Sequence, residues 1–551
     1  MLPILIILAV LAFLLASRVL ARKITARNAC AAVRAQWGHA PSESLDAESL
    51  LDVARYWREK QAAHLDACSV DDITWNDLGM DAVFQKLNHT HASVGAEALY
   101  AMLRDVGTPD TALALRGKWI AWLAAHTPAR EQAQGALHAL GRTRFHGAYP
   151  YLFNPQYRAP RRAYPFFVLA ALPLVLTALG FIWPACFFML PISFLVNALV
   201  YYRTHTLWKS EQSAIRHLAA VLHCANRLST LKLPGMADWL DEVRPLCALL
   251  KPIARWNALY AMQRTSEMDF LTDYLRIMLQ LDMISLTRLS RFLSGHAQAV
   301  ARLYALVGEL DACCAVASVR TANPQCVAPE FCASRTVTAV GLAHPLVRKP
   351  VKNDLIWSQN ALITGSNASG KSTFIKAMAV NAILAQSVLT CWADKFVMPR
   401  AQVMSSMALR DDLASGESYF IVEVRSLRRI VGAIGPALPT LVFVDEILRG
   451  TNTVERIATS AALLNYLCGL NALLMAATHD IELTYLTPGY LQRHFREEMT
   501  EAGMTFPYKL MDGPCTTRNA IKLLDVMAFP SAVIQQARAL AERFDQSGQW
   551  R

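Results

Sequence analysis

The sequence predicts a C-terminal α/β domain built on a parallel sheet, placed behind an all-helical region and three membrane-spanning helices. Three observations carry this. Apolar runs such as Thr440 to Val444 and Leu473 to Ala477 lie between helical stretches, as strands buried on both faces of a parallel sheet do. From Thr206 to Val319 apolar residues recur at spacings of three and four, among them Leu275, Ile277, Met278, Leu281, Met283 and Ile284. From Ala163 to Tyr202 there is no charged residue, and a helical span needs about 20 apolar residues.

The first element, residues 1–21, is expected to be a transmembrane anchor. Leu2 to Ala16 is uninterrupted apolar sequence, and Arg18, Arg22, Lys23 and Arg27 follow rather than precede it, unlike a cleaved signal peptide. This charge bias puts the N-terminus outside and the bulk of the chain in the cytoplasm, at an inner (plasma) membrane of bacterial type. Residues 22–162 then read as a cytoplasmic helical region. Residues 163–202 read as a transmembrane hairpin turning at Trp183-Pro184, with Arg158, Arg161 and Arg162 before it and Arg203 and Lys209 after it, so both ends face inward. Residues 203–322 form a helical core or lever domain, and 323–551 the nucleotide domain, opened by strands around His344-Pro345.

Within that last domain the apolar residues Leu362-Ile363 run into Thr364-Gly365-Ser366-Asn367-Ala368-Ser369-Gly370-Lys371-Ser372-Thr373 and then a helical segment. This is the G-x-x-x-x-G-K-[ST] phosphate cradle, in which glycines let successive N–H groups point inward at a helix N-terminus. Lys371 is expected along the β/γ-phosphates of ATP, and the Ser372 hydroxyl on Mg2+. The run Thr440 to Val444 ends in Asp445-Glu446, two carboxylates at the carboxyl edge of the sheet. Asp445 suits the magnesium, and Glu446 the orientation or deprotonation of the attacking water. The run Leu473 to Ala477 ends in Thr478-His479-Asp480, where His479 can hydrogen-bond the γ-phosphate or that water. The expected catalytic residues are Glu446, His479 and Lys371.

Thr364 to Thr373, Asp411 to Val424, Val444 to Thr453 and Ala477 to Thr484 resemble, in that order, the four signatures of the MutS family ATPase domain. The resemblance covers roughly His344 to Ala541, including the closing segment Ala528 to Ala537. Leu87 to Thr90 through Gly95, Leu99 and Leu103, and Leu306 to Ala312 through Pro329-Glu330-Phe331, are similar to the start of the family's core helical domain and the end of its lever helices. It implies an ABC-like P-loop ATPase, a homodimer with composite sites, and double-stranded DNA as a partner in mismatch repair. By similarity Ser418 reaches across to the partner's γ-phosphate in trans, and Asn367 contacts the nucleotide on its own subunit. Leu448 stands where the family has glycine, and Asn452 where it has serine. The resemblance does not extend to a mismatch-reading domain, a Phe-x-Glu wedge or a nuclease-like domain after the ATPase, and the lever region is short.

The chain has 551 residues and a net charge of +11. Much of this charge flanks the apolar segments, where it favours anionic membrane lipid over nucleic acid as its cause. Twelve cysteines lack metal-ligand spacing and read as small core residues. His89 and His91 make a pair without a neighbouring third ligand, so a metal site is not expected there. The hairpin's only polar residues are Thr177, Ser193 and Asn197, which leaves no transport path. Two readings result. One is a membrane-anchored ATPase that moves its levers around or against DNA. The other is a membrane mechanochemical or scaffold ATPase acting on a protein partner without nucleic acid.

Overall fold

The computed structural model describes residues 27–41, 44–63, 68–154, 163–253, 269–366, 369–407, 419–449, 451–500, 503–515, 521, 524, 527 and 529–547. The expected N-terminal anchor, Asn367, Ala368 and Ser418 lie outside these. The chain forms two compact units. One comprises Met1–Ala67, Leu87–Ala101 and Ala114–Ala322, the other Cys68–Lys86, Met102–Leu113 and Asn323–Arg551.

The first unit is helical. Helix α1 (Ser93–Arg104) and the 26-residue Ala297–Ala322 helix cross closely, because Gly308 lies where a Cβ would come within 2.5 Å of the Val94 carbonyl. Asp311, fully buried one turn later, accepts hydrogen bonds from the backbone N–H groups of His91 and Ala92 at 3.0 and 2.8 Å. It satisfies donors just before α1. Among the described residues, the stretch from Thr206 to Val319 is helical but interrupted. It breaks into Lys209–Ser229, Ala237–Leu249, Asp269–Met278, Leu281–Gly295 and Ala297–Ala322, with breaks where Pro234 and the left-handed Gln280 (φ 46°) end the helical pattern.

The first arm of the hairpin is a short helix. Helix α2 (Tyr164–Gly180) has 17 residues and stops at the Phe181 to Trp183 turn. After a 3-10 turn at Pro184–Met189 comes α3 (Leu190–Leu207). Of the three spans expected, the first lies outside the described residues. Among those described, one helical stretch, Pro184–Leu207, is long and apolar enough to cross a membrane, while α2 is a shorter apolar helix. Around the turn Phe181 and Phe188 are 82% and 81% exposed. Asn197 ties the base of the hairpin together, donating to the carbonyls of Leu169 (3.0 Å) and Met278 (2.7 Å).

The second unit is built on a six-stranded sheet. Its strands are β1 (Ala361–Thr364), β2 (Gln402–Ser406), β3 (Thr440–Asp445), β4 (Ala472–Thr478), β5 (Leu491–His494) and β6 (Met511–Asp512), ordered β6-β5-β1-β4-β3-β2. All neighbours are parallel except β5 and β6. Every residue of β1, β3 and β4 is buried, as the unbroken apolar runs require. Helix α4 (Lys371–Val388) packs on β3 and β4. A core formed by Leu427 and Ile430 of α5 (Tyr419–Ala433), Leu464 and Leu467 of α6 (Thr453–Cys468), and Val442, Val444, Leu474 and Ala476 holds the sheet to these helices. Each buried Leu or Val contributes about 1.5–3 kcal/mol.

Residues 68–86 and 102–113, read from sequence as part of the helical region, pack within this second unit. The short helix Asp72–Asp77 covers the edge strand β2. Thr74 Oγ1 accepts from Ser405 N (3.1 Å), and the Asp77 carboxylate from Ser405 Oγ (2.7 Å) and Met407 N (3.0 Å). A sheet edge is thereby closed to other chains.

Candidate active site

Register explains why three separated motifs meet. Thr364 of β1 pairs with Thr478 of β4, and Ala477 of β4 with Asp445 of β3. The carboxyl ends of three adjacent parallel strands are therefore level, and the loops that leave them adjoin.

The loop after β1 turns through Gly365 (φ 143°) and Gly370 (φ 109°). Both values suit glycine, and a Cβ at Gly365 would collide with the Phe495 carbonyl. Lys371, the first residue of α4, is only 4% exposed. Its Nζ donates to the carbonyls of Gly365 (2.7 Å) and Ser366 (2.8 Å). Burial pulls its pKa down, against the opposing pull of Glu446 and Asp445. Ser369 Oγ donates to the Ser366 carbonyl at 2.8 Å, and Ser366 Oγ to the buried Glu497 carboxylate at 2.5 Å. Ser372 and Thr373 stand exposed in the first turn of α4.

Asp445 closes β3 at 7% exposure, and its Oδ1 has no hydrogen-bond partner among the described residues. An unpaired buried carboxylate oxygen is costly unless a ligand uses it. Glu446 follows in the left-handed region (φ 56°), its N–H donating to the Ala477 carbonyl at 3.0 Å. Its carboxylate lies 2.6 Å from His479 Nε2 and pairs on its other oxygen with Arg449. Burial alone would raise the Glu446 pKa, but His479, Arg449 and Lys371 together hold it below the ordinary carboxylate value. His479 Nδ1 faces the Gly365 carbonyl at 2.9 Å and lies 3.4 Å from Lys371 Nζ. Lys371, Glu446 and His479, drawn from three motifs, thus form one contiguous cluster beside Asp445.

The loop and the start of α4 open into a cavity of about 540 Å3. One wall is polar, formed by Ser366, Ser369, Lys371, Ser372 and Thr373. The remaining lining is mostly apolar, with Val347, Val351, Phe495 and Tyr508, and includes His344, Lys349 and Asn353. This division suits a ligand with a phosphate tail and a flat organic body.

Several supporting residues carry no motif signal of their own. Glu423 of α5 accepts from the backbone N–H groups of Leu448 and, at 3.2 Å, Arg449. It thereby pins a loop containing two left-handed residues, Glu446 and Leu448 (φ 58°). Burial raises the Glu423 pKa despite those donors. The Leu448 conformation is one that glycine adopts without strain. Asn452 caps α6 by accepting from Val454 N at 2.9 Å, as serine would. Arg456 and Asp480 make a two-point pair at 3.0 and 2.6 Å that fastens the loop carrying His479. Arg449, Glu423 and Asp480 sat inside the quoted signatures without assigned roles, whereas Glu497 is reachable only through the adjacency of β5 to β1.

Comparison with known proteins accords with this region. Residues 361–545 match the family model for MutS domain V. The DNA mismatch repair protein MutS of Geobacillus thermodenitrificans is 31% identical over 256 residues, 44% of this chain and 28% of that protein. Its counterpart in Lactobacillus helveticus is 31% identical over 267 residues, 46% and 31% of the two chains, and that of Thermus thermophilus 30% over 251 residues, 44% and 30%. The chain spans less than a third of the length of these curated relatives. The part of the molecule that holds the Lys371, Asp445, Glu446 and His479 constellation is the part similar to MutS domain V.

Proposed function

We propose that the protein is a Mg2+-dependent, MutS-like ATPase that closes as a homodimer on ATP and reopens on hydrolysis, moving its helical levers against double-stranded DNA. The observation that carries the reading is the meeting of Lys371, Glu446 and His479 at the level ends of β1, β3 and β4. The residues fit the metal. Asp445 supplies a buried unpaired oxygen and Ser372 an exposed hydroxyl at the start of α4, a hard oxygen donor set of the kind Mg2+ takes. When bound, Mg2+ neutralises charge on the phosphate oxygens.

The chain's own groups do the rest. Lys371 exchanges its two loop carbonyls for phosphate oxygens, and the helix N-terminus adds its partial positive charge. Glu446, held ionised, orients and accepts a proton from the attacking water. His479, between Glu446 and the Gly365 carbonyl, orients that carboxylate and senses the γ-phosphate. Ser418 of a second copy completes the donors around the γ-phosphate, which a phosphate loop leaves facing outward. Membrane attachment through residues 1–21 and the 163–202 hairpin, with the ATPase in the cytoplasm, belongs to the same proposal and is supported by the Pro184–Leu207 helix.

Mixing Ser418→Ala chains with Lys371→Ala chains tests the shared site. Each mixed dimer has one intact site if Ser418 acts in trans, so phosphate release recovers on mixing, and two inactive parents that stay inactive together defeat the arrangement. Duplex DNA binding by the detergent-purified protein, falling steeply as salt rises, tests the DNA partner. Lack of binding at low salt favours a protein partner instead.

A further inference from the structure

We propose that the helical unit carries a second small-molecule site, one for a phosphorylated compound, in a cavity of about 390 Å3 between the 27–36 helix, the 88–91 loop and the helix Thr127–Leu140. Four imidazoles, those of His39, His89, His91 and His138, line it together with the Arg142 guanidinium, and no carboxylate is among the lining residues. The pair His89 and His91, which the sequence leaves without a task, therefore gains two further imidazoles from distant segments. They do not form a metal centre: among the described residues no group of three His, Cys, Asp or Glu side chains is placed to hold an ion.

The imidazoles are instead spread around the wall. The His91 and His138 rings are 5.8 Å apart and nearly perpendicular, and His89 Nδ1 lies 3.3 Å from Ser318 Oγ. Arg142 is fixed at the rim by donating to the Thr90 carbonyl at 2.8 Å. Burial, with His138, Arg142 and His89 adding to it, pushes the His91 pKa down to about 4, so His91 serves as a neutral hydrogen-bonding group. The buried carboxylate behind this wall, Asp311, is turned toward the backbone N–H groups of His91 and Ala92, and burial raises its pKa to about 7. Its charge is a weak counterweight to the basic groups in front of it. An anion is what this wall attracts, and planar guanidinium plus imidazole donors suit phosphate oxygens.

A second, independent observation concerns the remainder of the ligand. Gln134, 2% exposed, lines the same cavity, and its Oε1 has no hydrogen-bond partner among the described residues. That oxygen asks for a donor such as a hydroxyl group. Trp37, with the Arg130 guanidinium 3.5 Å from its ring centroid, adds an apolar wall together with Val33 and Pro41. The volume falls within the range of small-molecule sites. The ligand is a phosphate monoester with a hydroxylated body. It has two possible sources, a soluble metabolite or a lipid headgroup, since the lining begins closely after the apolar N-terminal run.

The test uses full-length Lys371→Ala protein in detergent, so that the nucleotide cavity is silent. Calorimetric titrations are run with inorganic phosphate, ribose 5-phosphate and dihexanoyl phosphatidic acid. One saturable site per chain is expected for at least one organic phosphate, weakened about tenfold or more by Arg142→Gln and by His138→Asn. The stronger of the two organic probes identifies the source. Should Arg142→Gln lower the melting temperature, His138→Asn alone decides. Absence of saturable binding by all three probes at millimolar concentration, or binding that both substitutions leave unchanged, overturns the proposal.

Discussion

Two buried carboxylates, one in each unit, meet opposite fates. In the helical unit Glu97 is surrounded: His146 Nε2 lies 2.9 Å from one oxygen, Tyr149 donates to that oxygen at 3.1 Å, and Tyr304 donates to the other at 2.7 Å. His217 extends the network to Tyr304 at 3.2 Å, its ring stacked 3.9 Å from that of His146. In the nucleotide unit Asp445 is almost as deeply buried, yet one oxygen is left without a partner. A buried carboxylate satisfied from within fixes how helices meet, while one with an oxygen left open is poised for something that arrives from outside.

The contrast predicts opposite mutational phenotypes. The largest effect is expected from Glu97→Ala, which removes the acceptor shared by His146 and two tyrosine hydroxyls. Loss of a partner from such a network costs about 3–5 kcal/mol, read as a lower denaturation midpoint for the helical unit with nucleotide binding retained in the folded fraction. Glu446→Gln should lower ATP turnover about 100-fold or more with ATP affinity within about threefold of wild type, measured by phosphate release and equilibrium binding. Normal turnover in that variant removes Glu446 from its role.

Asp445→Asn sharpens the comparison most directly. It should leave the ligand-free protein no less stable than wild type, because an amide costs less to bury than an unpaired carboxylate, while turnover drops more than about tenfold at fixed Mg2+. If Asp445→Asn unfolds the protein and Glu97→Ala does not, the contrast is reversed. Asn452→Ala, which removes the α6 cap, should cost about 1 kcal/mol by thermal melting.

The smallest expected effect is a change of pH slope. The folded value of about 7 for Asp311 lies above its ordinary 3.8, so the native state holds that proton more tightly. Its stabilising contribution is complete below about pH 4 and is lost as pH rises toward 7. Asp311→Asn should flatten the decline in stability between pH 5 and 7, and an unchanged slope would remove Asp311 as its source.

The parts of the site that could be read in the sequence are those where chemistry and chain proximity coincide. Gly365 to Thr373 announces itself through spacing, and Asp445, Glu446 and His479 through their positions at the ends of apolar runs. Glu497 reaches Ser366 only because β5 lies beside β1, a pairing between distant segments that no local pattern encodes. The helix Asp72–Asp77 was equally opaque, since it attaches to β2 through Thr74 and Asp77 hydrogen bonds rather than an apolar stripe. In the hairpin, charge counting measured the apolar run but not the length of its first helix, since α2 has 17 residues.

Glu423 sits five residues beyond Ser418 and grips the backbone immediately after the Asp445-Glu446 pair. Helix α5 is consequently yoked to the loop that carries Glu446. Any shift of α5 therefore carries to the backbone beside Asp445 and Glu446, so one carboxylate on a helix sets where a neighbouring loop points.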